Sequence, residues 1–155
     1  MQWAADVFAW MALSRAPALD AATLSAAFER LSGIFGFIES SDEARRSAGI
    51  PAAAREFLGS AAAVSCAAER AWIESPRHHL VAFTDRRYPA ALRALERRPI
   101  ALYVAGNADI LNDPQLSIVG SRNPTAAGRD TAFEFAESLA ACGLGITSGL
   151  ALTPL

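Results

Sequence analysis

Hydrophobic residues in the first half of the chain recur at helical spacing. One apolar stripe follows the spacing i, i+4, i+7, i+8, at Trp3, Val7, Trp10 and Met11. A second stripe follows i, i+3, i+4, i+7, at Leu24, Ala27, Phe28 and Leu31, with Asp20 as a candidate N-cap in front of it. Because such stripes need partner surfaces, residues 1–75 are predicted to pack as an all-helical domain of four or five short helices.

The pattern becomes extended after a polar break at residues 74–79. Short apolar runs predict strands at 80–83, 100–105, 116–119 and 144–147, and helices at 89–96 and 126–141. The longer helix has a predicted inner face of Ala132, Phe135, Ala136, Leu139 and Ala140. Its flanking strands form a βαβ unit, which favours a parallel sheet. The fold class is therefore α/β, with a second domain at 76–155 whose sheet is incomplete, because the sequence stops directly after a strand.

Charge is distributed unevenly along the 155 residues. The formal net charge of −2 argues against a protein that coats nucleic acid through overall basicity. Residues 76–99, however, contain six arginines against Asp85 and Glu96, a local charge of +6 − 2 = +4. This stretch either faces an acidic polymer or is the solvated face of a short helix that carries Arg93, Arg97 and Arg98.

Cysteine usage and the N-terminus indicate a reducing compartment. Cys66 and Cys142 lie in Ala-rich contexts without CxxC spacing, so both are predicted to be reduced core residues, and no metal site is predicted. The sequence shows neither a secretory signal pattern nor an apolar run long enough to span a bilayer. We expect a cytoplasmic protein without a membrane partner.

The loop after the third predicted strand carries the clearest chemistry. The strand ends at Gly120, and a turn that contains Ser121 and Arg122 leads into a helix. Exposed N–H groups at such a junction bind phosphate oxygens, and a guanidinium can close on the same anion in a bidentate fork. The turn at Ser148 and Gly149 follows the next strand and should lie at the same sheet edge. Taken alone, the loop could also be a structural turn with a surface arginine.

Four motifs occur in an order that resembles the DNA-processing protein A (DprA/Smf) family. They read YPAAL at 88–92, RPIALYVAGN at 98–107, IVGSRNPTAAGR at 118–129 and SGLAL at 148–152. The resemblance implies a helical N-terminal domain, SAM-like or helix-hairpin-helix-like, followed by a Rossmann-like domain. It also implies a non-enzymatic protein of natural transformation that binds single-stranded DNA, helps to load RecA and forms homodimers when full-length. No catalytic residue, cofactor or metal is implied.

The resemblance also assigns roles to individual residues. Gly120, Ser121 and Arg122 would contact DNA phosphates, and Ser148 and Gly149 would line the neighbouring turn. Three further matches, at Thr125, Gly128 and Arg129, would support the start of the helix.

Two segments depart from the family pattern. Residues 17–20 read PALD where the family has a glycine-rich hairpin, and residues 153–155 read TPL where the family continues with Gly-Ile-Asp. The chain is therefore interpreted as a truncated, N-terminal form. Two alternatives remain open: a nucleotide-binding or phosphoribohydrolase-type Rossmann protein, and a non-functional fragment with an exposed sheet edge.

Overall fold

The computed structural model describes residues 2–64 and 67–149. By its contacts the chain divides into two compact units, Met1–Ala108 (unit 1) and Asp109–Leu155 (unit 2). The mixture of helices and strands confirms the α/β class. Within the described residues, no helix is both long and apolar enough to cross a membrane.

The first part of unit 1 is helical, as predicted. Its helices are α1 (Gln2–Arg15), α2 (Ala21–Leu31), α3 (Gly33–Glu39), α4 (Asp42–Ser47), α5 (Ala52–Leu58), α6 (Ala61–Val64) and α7 (Ala67–Ile73). These helices outnumber the four or five expected, because turns divide the chain into short pieces. Asp20 caps α2 as predicted: its carboxylate accepts a 2.7 Å hydrogen bond from the Thr23 N–H, which lowers the pKa of Asp20.

An antiparallel strand pair completes unit 1. Strands β1 (His78–Ala82) and β2 (Ala101–Ala105) pair with His78 opposite Ala105, and the short helix α8 (Ala90–Arg93) lies in their connection. Both strands contact α1, so by contacts they belong with the helices. The contact division after Ala108 thus differs from the predicted 1–75 and 76–155 division, which stays a prediction about domain organisation.

Aromatic side chains join these helices and strands in one core. Phe83, just after β1, meets Trp10 of α1 edge-on with ring centroids 5.4 Å apart. It also lies nearly parallel to Phe28 of α2 at 6.1 Å, and Phe28 meets Phe37 of α3 at 5.8 Å. Tyr88 is buried in the same unit, and its hydroxyl donates a 2.7 Å hydrogen bond to the carbonyl of Pro99. Burial raises the pKa of Tyr88.

Unit 2 contains the predicted βαβ arrangement. A 3-10 helix (Ala108–Asn112) leads into β3 (Gln115–Ser117), followed by α9 (Ala126–Ala141) and β4 (Gly145–Thr147). Strands β3 and β4 are parallel, with Ser117 opposite Thr147. The parallel pairing is therefore confined to β3 and β4 among the described strands, since β1 and β2 pair with each other in antiparallel fashion.

Side chains of unit 2 are poorly covered. None of the described residues 109–149 is buried, and Phe133 and Phe135 are 56% and 61% exposed. The prediction that Phe135 faces inward is wrong, because two three-residue strands offer too little surface to cover a 16-residue helix. Cys142 is exposed, so its predicted core position is wrong as well. Cys66 lies outside the described residues.

Candidate phosphate-binding site

The parallel pairing of β3 and β4 brings the ends of both strands to one edge. The Ile118 N–H donates a 2.9 Å hydrogen bond to the Thr147 carbonyl, which extends the pairing by one residue. The loop with Gly120, Ser121 and Arg122 therefore leaves the sheet beside the turn with Ser148 and Gly149. This neighbouring position of the two loops is what the sequence predicts. The phosphate-binding role of the five residues stays a prediction.

Backbone donors in the first loop are available to a ligand. Within the described part of the chain, the N–H groups of Val119, Gly120, Ser121 and Arg122 donate to no protein acceptor. The next amide, that of Asn123, donates to the Ser121 hydroxyl at 3.1 Å and so fixes the turn. All four free amides belong to exposed residues, and Val119 is 86% exposed. The loop thus presents consecutive donors, as anion-binding turns do.

Arg122 adds a positive charge to these donors. Its side chain is exposed and has neither an ion-pair partner nor a hydrogen-bond partner among the described residues. Residues 117–129 contain two arginines and no carboxylate, although unit 2 as a whole is acidic. The guanidinium is therefore free to bind an oxyanion in a bidentate manner.

Glycines keep the approach to the backbone open. A Cβ atom built on Gly120 or Gly149 would meet no atom of the described residues within 4 Å. Packing against the described part of the chain thus requires neither glycine, and the described residues leave the space above each backbone open. A ligand oxygen can reach the amides there without a side chain in its way.

Two of the three supporting residues shape the start of α9. Thr125 is its N-cap, and the Thr125 hydroxyl accepts a 3.1 Å hydrogen bond from the Gly128 N–H. A Cβ on Gly128 would lie 3.1 Å from that hydroxyl, so a larger residue would crowd the cap. Arg129 is exposed on the same first turn, where its own amide bonds to the Thr125 carbonyl.

The His, Cys, Asp and Glu side chains of the described residues form no metal-binding cluster. Among residues 2–64 and 67–149, no three His, Cys, Asp or Glu side chains come close enough to hold a metal ion. Asp85, in unit 1, forms an ion pair with Arg87 at 2.8 Å. The hydrogen bond from Arg87 lowers the pKa of Asp85.

Comparison with known proteins agrees with the motifs. Residues 79–153 match the family described as DNA recombination-mediator protein A. Protein Smf of Escherichia coli (strain K12) is 42% identical over 80 residues, which cover 52% of this chain and 21% of Protein Smf. The matched part of the chain thus spans about a fifth of the length of that curated relative. The resemblance inferred from the four motifs is confirmed: residues 79–153 are similar to the DprA/Smf family of DNA recombination-mediator proteins.

Proposed function

We propose that this chain binds single-stranded DNA through its phosphate groups, with the Gly120-Ser121-Arg122 loop as the anchor and the Ser148-Gly149 turn beside it. The observation that carries the proposal is the run of four amides next to a guanidinium, none of which has a partner among the described residues. These groups recognise phosphates without contacting base edges, so binding is tolerant of sequence.

The resemblance to the family also suggests the cellular process in which the chain acts. A recombination mediator must hand single-stranded DNA to a recombinase, and RecA is the expected partner during natural transformation. The chain acts in the cytoplasm in this proposal, and it binds DNA without catalysing a reaction. Homodimerisation stays a prediction for full-length members.

Fluorescence anisotropy with labelled oligo(dT) tests the phosphate site. Electrostatic binding to single strands gives a slope of about −0.7 in log K against log[salt] for each phosphate neutralised. We expect Arg122→Ala to make the slope less steep by about 0.7 and to weaken binding several-fold in low salt. Arg46→Ala is the matched control, because Arg46 is exposed, lies in unit 1 and forms an ion pair with Glu43.

Three results would overturn parts of the proposal. An Arg122→Ala protein that binds like wild type would remove the loop from the DNA site. Saturable binding of a mononucleotide in preference to oligo(dT) would favour the nucleotide-binding alternative. A folded wild-type chain that binds neither ligand would favour a fragment without binding function.

A further inference from the structure

Two arginines of the basic segment line a groove in unit 1. The sequence allowed Arg93, Arg97 and Arg98 to be the solvated face of one helix, but only Arg93 belongs to α8. Arg97 and Arg98 follow in the irregular connection to β2. The groove, of about 460 Å³, is lined by Ser25, Phe83, Thr84, Arg93 and Arg98.

The side chain of Arg98 is held by two contacts, and neither of them is with a carboxylate. Its guanidinium lies 5.6 Å from the centre of the Phe83 ring, and its Nη2 donates a 3.3 Å hydrogen bond to the Ser25 hydroxyl. Arg93 is held by the carbonyls of Phe83 and Asp85. Within the described residues, no carboxylate lies in salt-bridge range of Arg93 or Arg98. The groove therefore has two fixed positive charges that no described residue neutralises as a counter-ion.

An apolar groove shares a lining residue with the basic groove. Thr84 lines both, and the second groove, of about 470 Å³, is formed mainly by Trp10, Phe28, Ile34 and Phe35. Phe35 is 48% exposed although it is a large aromatic residue. Its ring is thus available for stacking, which the sequence alone did not indicate.

We propose that unit 1 has a second contact site for single-stranded DNA, in which Arg93 and Arg98 bind a backbone phosphate and Phe35 stacks on a neighbouring base. The inference rests on the proposed function, since it adds a subsite for the same polymer. Single-strand binding surfaces combine basic grooves with aromatic platforms in this way.

The charge and shape of the two grooves favour single-stranded DNA, with a phosphate at the arginines and a base at Phe35. The two guanidinium groups, which have no carboxylate partner among the described residues, attract phosphate, whereas the apolar groove has Glu29 on its lining and disfavours an anion there. A nucleotide has both a negative and a flat apolar part. An acidic peptide would satisfy the arginines but would leave Phe35 without a stacking partner.

The test measures oligo(dT) binding by the full chain over a salt series. Arg98→Gln should make the slope of log K against log[salt] less steep by about 0.7, whereas Arg98→Lys should keep the wild-type slope. Arg46→Gln, the control, should bind like wild type. Phe35→Ala should weaken binding about tenfold for oligo(dT), and it should not affect an abasic oligonucleotide of equal length. Thermal melting of each variant establishes that it is folded.

The outcomes separate this inference from the proposed function. If Arg98→Gln or Phe35→Ala binds with wild-type affinity and slope while Arg122→Ala is impaired, the second site is overturned and the first site stands. If Arg122→Ala is unchanged while Arg98→Gln and Phe35→Ala are impaired, the second site is supported and the assignment of the first is wrong. A wild-type chain that does not bind oligo(dT) overturns both.

Discussion

Phe83 is expected to be the side chain that most strongly joins the helices of unit 1 to its strand pair. Its ring contacts Trp10, Phe28 and the guanidinium of Arg98. The replacement Phe83→Leu keeps an apolar side chain of moderate size but removes all three ring interactions. It therefore isolates the aromatic contribution better than truncation to alanine does.

The expected cost follows from these contacts. Each aromatic pair contributes about 0.5–1.5 kcal/mol beyond burial, and a partly exposed cation–π contact contributes about 0.5–1 kcal/mol. Two pairs and one cation–π contact together give about 2.5 kcal/mol. For a unit of this size, the same loss corresponds to a melting temperature lower by roughly 10–20 °C.

Urea unfolding followed by tryptophan fluorescence and far-ultraviolet circular dichroism measures this cost. Phe35→Leu is the control in the same unit, because Phe35 is 48% exposed and should lose less than about 0.5 kcal/mol. If the two variants have equal free energies of unfolding, the aromatic cluster does not hold the strand pair on the helices. The helices and the strand pair of unit 1 would then not unfold as one cooperative unit, although they form one compact unit by their contacts.

Two further changes test local features of unit 1. Asp20→Ala should lose about 1 kcal/mol at pH 7, because the Thr23 N–H loses its acceptor. The pKa of Asp20 is lowered from 3.8 by this bond, so the stabilisation is present above pH 3.8 and is lost as the pH falls through the lower folded value. Urea titrations of both proteins should converge in strong acid, and a difference that persists there would contradict the capping role. Tyr88→Phe should cost about 1–2 kcal/mol, because the Pro99 carbonyl loses its donor; an unchanged melting temperature would show that water replaces this bond.

Local sequence signals predicted the elements of unit 2 well. Strand β3, helix α9 and strand β4 follow the expected order, and α9 has the expected bounds. Both ends of α9 have local signals, because Thr125 caps its start and Gly143 follows its end. The neighbouring position of the Gly120 and Ser148 loops followed from the parallel geometry of a βαβ unit.

Long-range packing could not be predicted in the same way. The antiparallel pairing of β1 with β2 joins residues from 19 (Ala82 and Ala101) to 27 (His78 and Ala105) positions apart, and no two-residue turn marks it in the sequence. Exposure of Phe135 depends on how much sheet is present to cover α9, which helical periodicity does not report. The groove around Arg98 joins residues of α2 with the loop after β1, so it exists only in the folded chain.

The most direct test of the central claim is the amide chemical-shift change on titration of the ¹⁵N-labelled 16.4 kDa chain with a short oligo(dT). The amides of Gly120, Ser121, Arg122, Ser148 and Gly149 should shift together, since the phosphate would bond to or lie beside them. Binding that leaves all five amides unshifted would contradict the assignment of this sheet edge as the phosphate site.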